Sequence, residues 1–247
     1  MMDLELEQHW KQINQQRAAF YGWFAGAFAS ELSKQAFAFY SSTQLDSLLA
    51  VLEHIGFEQE VARLQAFTST LEGTEDERIE LMADFASCFL LDSRQSALPY
   101  ASYYLSEEKL LYGEANQRMS DFLQGNQLQL HEDFREPADH LVVYLAVMAD
   151  WCSEVAELND PHEIERQVNE QYEFLSEALL SWLPQWAERL EQIPHLRYTF
   201  YPAMGQLLLS YVRADAQAMR YEPADEQALT EDDTAASASP SHKQTLH

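Results

Sequence analysis

The stretch FREPADHLVVYLAVMADW, residues 134–151, sets Glu136, Pro137, Asp139 and His140 ahead of a strongly apolar run. Leu141, Leu145, Met148, Cys152 and Val155 recur along it at helical spacing, so the run reads as a helix buried along one side. Proline suits the first helical position, and acids there complement the positive end of the helix dipole, so the pattern predicts a helix opening at Pro137. His140 fits that frame poorly, because a titrating cation near a helix N-terminus opposes the dipole. It reads either as a solvated edge residue or as a polar group that meets a partner. The letters alone do not decide, since EPAD recurs at 222–225 with no apolar helix behind it.

The same periodicity extends in both directions. Trp10, Ile13, Phe20, Phe24 and Phe28 place residues 3–29 on one long amphipathic helix. Helices follow at 42–56 and 58–73, each stopping at a glycine, and at 74–91, where Thr74 and Glu77 have the spacing of a capping box. Residues 92–105 read as an ordered loop and 106–123 as a helix. Beyond the apolar run, Asp160-Pro161 opens a helix with Val168, Tyr172, Leu175, Leu179 and Trp182 inward. A short helix spans 183–193, and Pro202 starts the last. Strand signals are nearly absent, so the expected fold is all-α, with about ten helices in a globular bundle.

The polar, unpatterned segment 125–135 divides the chain into an N-terminal helical half, 1–124, and a C-terminal half, 136–221. As a hinge it would allow a monomer and a domain-swapped dimer with the same contacts. Residues 222–247 carry six acids and one base without periodicity and read as a disordered acidic tail.

Composition narrows the function classes. The 247 residues hold 41 acids against 15 bases, a formal charge of -26, which repels nucleic acid and anionic membranes and favours cationic partners. Asp3, Glu5 and Glu7 outnumber Lys11 and Arg17 ahead of the apolar stretch 18–29. That stretch therefore lacks the positive flank of a secretory signal, and it is too short to span a membrane. Cys88 and Cys152 lie within apolar helical patterns and match no metal or redox spacing, as expected of buried thiols in a reducing cytoplasm. No HExxH, CxxC or phosphate-loop motif occurs, and no histidine has a glutamate three residues before it, as carboxylate-bridged metal bundles require. No metal is expected.

A second unusual stretch is LPYASYYL, 98–105, where Tyr100, Tyr103 and Tyr104 crowd Pro99. It reads either as a loop pinned to the core by its rings or as a peptide-binding surface, since tyrosine joins a large contact area to a polar tip.

Together these features resemble the TorD/DmsD/NarJ-type family of cytoplasmic molybdoenzyme chaperones. The E-P-x-D-H-L pattern is met by Glu136, Pro137, Asp139, His140 and Leu141, and the proline–aromatic–serine–tyrosine segment by Pro99, Tyr100, Ser102, Tyr103 and Tyr104. Asp84 and Phe85 match an upstream aromatic segment. FLSEALLSWL, 174–183, matches a downstream one, with Ala178 where relatives usually carry histidine. The pattern is closest to the TorD branch. The resemblance implies a cytoplasmic binding protein, not an enzyme. It would hold the twin-arginine signal peptide and apo form of a molybdoenzyme, trimethylamine N-oxide reductase, until the molybdenum cofactor is inserted and Tat export follows. It assigns client and leader binding to Asp84, Phe85, Pro99, Tyr100, Ser102, Tyr103, Tyr104, Glu136, Pro137, Asp139 and His140. It also implies weak guanine nucleotide binding, against which stand the missing phosphate loop and the negative charge, so no cofactor is expected. The competing reading from the residues is an all-α hydrolase or lyase using Asp139 and His140.

Overall fold

The computed structural model describes residues 4–130 and 134–220. The tail, with the second EPAD, lies outside the described residues, as do 131–133 within the expected linker. Eleven α-helices and two π-helical segments occur among the described residues, with no strand. The all-α expectation holds.

The helices are α1 (Leu4–Ala29), α2 (Lys34–Tyr40), α3 (Gln44–His54), α4 (Glu58–Thr68), α5 (Glu75–Phe85) and α6 (Ala101–Leu105). They continue as α7 (Glu114–Gly125), α8 (Leu141–Val155), α9 (Pro161–Glu173), α10 (Leu183–Glu191) and α11 (Phe200–Met219). Helix α5 passes into a π-helical turn at Ala86–Leu90, and α9 into another at Phe174–Leu179. The short α2 was not apparent from periodicity; Ser33 caps it by accepting the Ala36 N–H.

Two packings organise the molecule. Helix α11 touches α1, α4, α5, α9 and α10 and buries most of its length. Helix α1 lies along α8, and the Trp10 indole N–H donates to the Val155 carbonyl at 3.0 Å. Core side chains from before and after 125–135 belong to one apolar cluster, from Phe20 to Met219. Within it Gly205 faces α10: a Cβ there would stand 2.7 Å from a Leu190 methyl. Cys88 and Cys152 are buried and unbonded, as expected.

Several boundaries and faces differ from the periodic reading. Ile13 is 39% exposed, while Asn14 and Arg17 turn inward. Arg17 meets both oxygens of Asp215 at 2.7 and 3.0 Å, Asn14 at 2.7 Å and Gln171 at 2.8 Å, tying α1 to α9 and α11. Tyr21 donates to the same Asp215 carboxylate at 2.6 Å. Burial of the guanidinium is tolerated because it finds this many acceptors. The helix expected from Ser106 begins at Glu114, because Lys109 and Tyr112 adopt positive φ, which interrupts helical geometry. The last helix begins at Phe200, leaving Pro202 in its first turn, where the missing N–H costs nothing. The Thr74–Glu77 capping box is formed as predicted.

Candidate functional site

The apolar helix does not open at Pro137. Residues 137–140 make a tight turn, closed by the His140 N–H on the Pro137 carbonyl at 3.1 Å, and α8 starts at Leu141. His140 is the N-cap: extended in backbone, it accepts the Val142 N–H on Nδ1 at 3.2 Å. This resolves the conflict between a histidine and the helix dipole. Burial lowers the His140 pKa to about 4 against a small opposing pull from Glu136, so the ring is neutral and offers a lone pair where the helix has N–H groups to satisfy.

Held that way, the EPADH turn pairs with the tyrosine segment. Tyr100 and His140 form an isolated antiparallel bridge. The Leu141 N–H donates to the Pro99 carbonyl at 2.8 Å, and the Ala101 N–H to the Asp139 carbonyl at 3.0 Å. The Asp139 side chain, fully buried, accepts the Ser102 N–H at 2.7 Å, while its other oxygen has no partner among the described residues. At the surface the Tyr100 hydroxyl donates to Glu136 at 2.6 Å. Rings enclose the cap: Tyr100 and Phe134 approach the His140 imidazole edge-on, with centroids 5.1 and 5.7 Å away.

The surroundings fix this junction. Asn116 on α7 accepts the Ala138 N–H at 2.9 Å, and the Ser102 hydroxyl accepts the Gly113 N–H at 3.1 Å. Tyr103 reaches the Ser93 carbonyl at 2.8 Å, and Tyr104 stacks on Trp182. From α10, Arg189 donates to the carbonyls of Ser93, Arg94 and Ser96, and the Trp186 indole to that of Ala97. The loop 92–99 is thereby sewn to the core.

Nine of the eleven residues singled out in sequence, Pro99 to Tyr104 and Glu136 to His140, meet in these two facing segments. Within them the accessible polar group is Glu136, whereas Pro99, Ser102, Pro137, Asp139 and His140 are buried. Asp84 and Phe85 serve elsewhere. Asp84 accepts the N–H groups of Arg197 and Tyr198, both at 2.8 Å, and Phe85 packs its ring against Phe89 and Tyr201. Burial raises the Asp84 pKa, countered by those two N–H donors. Asn116, Gly113 and Phe134 belong to the junction but carried no sequence signal that marked them; each is common in helices and loops.

The geometry is poorly suited to acid–base chemistry. The His140 nitrogen that would serve as a base is spent on a backbone N–H, and Asp139 is held by Ser102 instead of orienting the imidazole.

Comparison with known proteins agrees with a binding role. A family model described as "Nitrate reductase delta subunit" matches residues 53–188. A protein named Chaperone protein TorD from Psychrobacter sp. (strain PRwf-1) is 44% identical over 214 residues, 86% of this chain and 95% of that protein. The chain belongs to the TorD-type family of molybdoenzyme maturation chaperones. A TorD chaperone from Vibrio parahaemolyticus is 34% identical over 85% of this chain and 97% of its own. A crystal structure of a putative redox enzyme maturation protein from Archaeoglobus fulgidus shares 17% identity, covering 89% of this chain and 96% of its own, with a TM-score of 0.41, a likeness too distant for the site to be read from it. The family role is non-enzymatic, so the hydrolase or lyase alternative falls away.

Proposed function

We propose that this chaperone acts in the cytoplasm on trimethylamine N-oxide reductase, binding the apo-enzyme and its twin-arginine leader before cofactor insertion and Tat export. Among the described residues no helix is long and apolar enough to cross a membrane. The observation that carries the reading is the Tyr100–Glu136 pair at the edge of the two facing motif segments. Glu136 is exposed, and Tyr100 engages one of its oxygens, which leaves the other to accept a guanidinium N–H. Asp139, being fully buried, acts through the backbone it holds and does not touch the arginines itself.

Titration of the purified protein with a peptide carrying Arg-Arg followed by an apolar run tests this. Glu136→Gln should weaken binding about tenfold or more, as expected for loss of a hydrogen bond to a charged group, with no change in melting temperature. An affinity that Glu136→Gln leaves intact would remove this surface from leader recognition. Capture of the client from the source cell, identified by mass spectrometry, tests the reductase separately.

A further inference from the structure

A concavity of about 650 Å³ lies between α7, α8, α9 and the π-helical turn 174–179; of the two facing motif segments only Leu105, at the end of α6, lines it. Its floor is aromatic. Phe122, Tyr144, Trp151 and Phe174 meet edge-on or tilted with centroids 5.1–6.0 Å apart, and Met119 adds to the base. Phe122 and Trp151 are half-buried, so the rings present apolar surface to whatever enters. The hollow continues past Trp151 into a smaller one of about 170 Å³, lined by Leu128, Val147 and the carboxylates Asp150 and Glu154.

The charges at its rim are unequal. Arg166 is held by Glu163 and Glu170, and Arg118 pairs with Glu114 at 3.3 Å. The carboxylates of Glu173 and Glu177, one turn apart on the α9 side, make no ion pair or hydrogen bond among the described residues, nor do those of Asp150 and Glu154 on α8. Both rims therefore end in carboxylates that lack cations, beside an apolar floor. Ala178 keeps the wall low beside Glu177; a larger side chain there would fill the hollow.

The walls are side chains of helices whose own backbone groups are internally bonded. An extended peptide laid in such a groove would bury N–H and C=O groups without partners, whereas a helix brings its own satisfied. The charge excludes acidic segments, including this chain's own residues 222–247 with their six acids. We propose that this groove docks a helix of a partner protein whose leucine-rich face carries arginine or lysine along one edge. The apolar face would cover Phe122, Trp151 and Phe174, and the cations would meet Glu173 and Glu177. This is a second grip, independent of the leader-binding reading above.

Full-length protein is titrated, by fluorescence anisotropy, with a labelled synthetic helix of roughly 18 residues, longer than the limit at which isolated helices become marginal. The probe places leucines at i, i+3, i+4 and i+7 and two arginines a helical turn apart on one flank, so that it lacks the adjacent arginine pair of the leader. The double substitution Glu173→Lys with Glu177→Lys, at exposed positions, should weaken binding about tenfold or more. A probe with glutamates in place of its arginines should show the reverse preference. Ala178→Trp should abolish binding by filling the groove, while Glu136→Gln should leave it unchanged. Circular dichroism of each variant checks that the fold persists. No saturable binding to the native chain up to about 1 mM, binding indifferent to the charge reversal, or binding lost on Glu136→Gln would each overturn the proposal. The last result would place the probe on the Tyr100–Glu136 surface instead.

Discussion

The Asp139 carboxylate, without solvent contact, accepts the backbone N–H of Ser102 at 2.7 Å, locking the EPADH turn to the tyrosine segment 37 residues earlier. Truncation to alanine leaves a buried N–H unpaired. Asp139→Ala should therefore destabilise the fold by about 1–3 kcal/mol, read as a fall in urea midpoint. The same variant should weaken leader binding by more than its fraction unfolded accounts for, because Glu136 loses its fixed position.

His140 makes stability depend on pH in a defined window. Its pKa falls from an ordinary 6.5 to about 4 in the fold, through burial. Between these values the unfolded chain takes up a proton that the native state refuses. Stability is therefore complete above pH 6.5, declines as pH drops toward 4, and loses no more from this residue below that. The full loss is about 3 kcal/mol. Asparagine caps helices well and does not titrate in this range, so the difference in unfolding free energy between the native chain and His140→Asn should grow between pH 4 and 6.5 and level off above. A difference that stays flat across pH 4–7 would show a solvated, ordinary histidine.

Arg17→Met should be among the most damaging single changes. It strands the carboxylate of Asp215, which together with Arg17 is almost completely removed from solvent. Breaking a buried pair from one side typically costs about 3–5 kcal/mol. Adding Asp215→Leu should recover part of this loss, so a double-mutant cycle by chemical denaturation will show a coupling of opposite sign to the single effects.

Asp84 separates scaffold from surface. Asp84→Asn keeps one acceptor but sets an amide N–H against one of the Arg197 and Tyr198 donors, so the melting temperature should fall. Affinity for the twin-arginine peptide, measured well below that temperature, should not change. A selective loss of affinity would return Asp84 to the binding surface.

Gly205→Ala should cost about 1–3 kcal/mol through overpacking, since the added methyl meets Leu190 at 2.7 Å and Trp186 at 3.5 Å. A second substitution, Leu190→Ala, should relieve much of that clash while opening space of its own. Thermal unfolding of the three variants will separate the effects.

Periodicity revealed most of the helices because Leu, Phe and Trp at helical steps have few alternatives to one shared core. It misassigned positions where a polar group found partners across the chain. Arg17 gave no sign of burial because Asp215 and Gln171, which accept from it, lie on helices that no local pattern connects to α1, and Ile13 is exposed where periodicity placed it inward. The start of α8 was misread for a related reason. Proline suggested a first helical position, yet the cap is a histidine acting as an acceptor, and its neutrality depends on burial by Tyr100 and Phe134. The motif residues were legible as letters, but which of them face solvent was not. That Asp139 would be an interior clamp was not, since its partner is a backbone N–H and leaves no mark in the sequence. The groove behind α8 escaped notice because it draws its rings from α7, α8 and the end of α9, each of which reads singly as core.

The two thiols give the molecule a pair of internal clocks. Cys88 sits in the π-helical turn after α5, and Cys152 on α8 within the core it shares with α1. Burial pushes the Cys152 thiol up to about 12, and raises Cys88 further still. Neither can meet an alkylating reagent as thiolate until its own region swings open. Their separate labelling rates would report how often each part of the closed molecule breathes, and whether a bound client slows one rhythm more than the other.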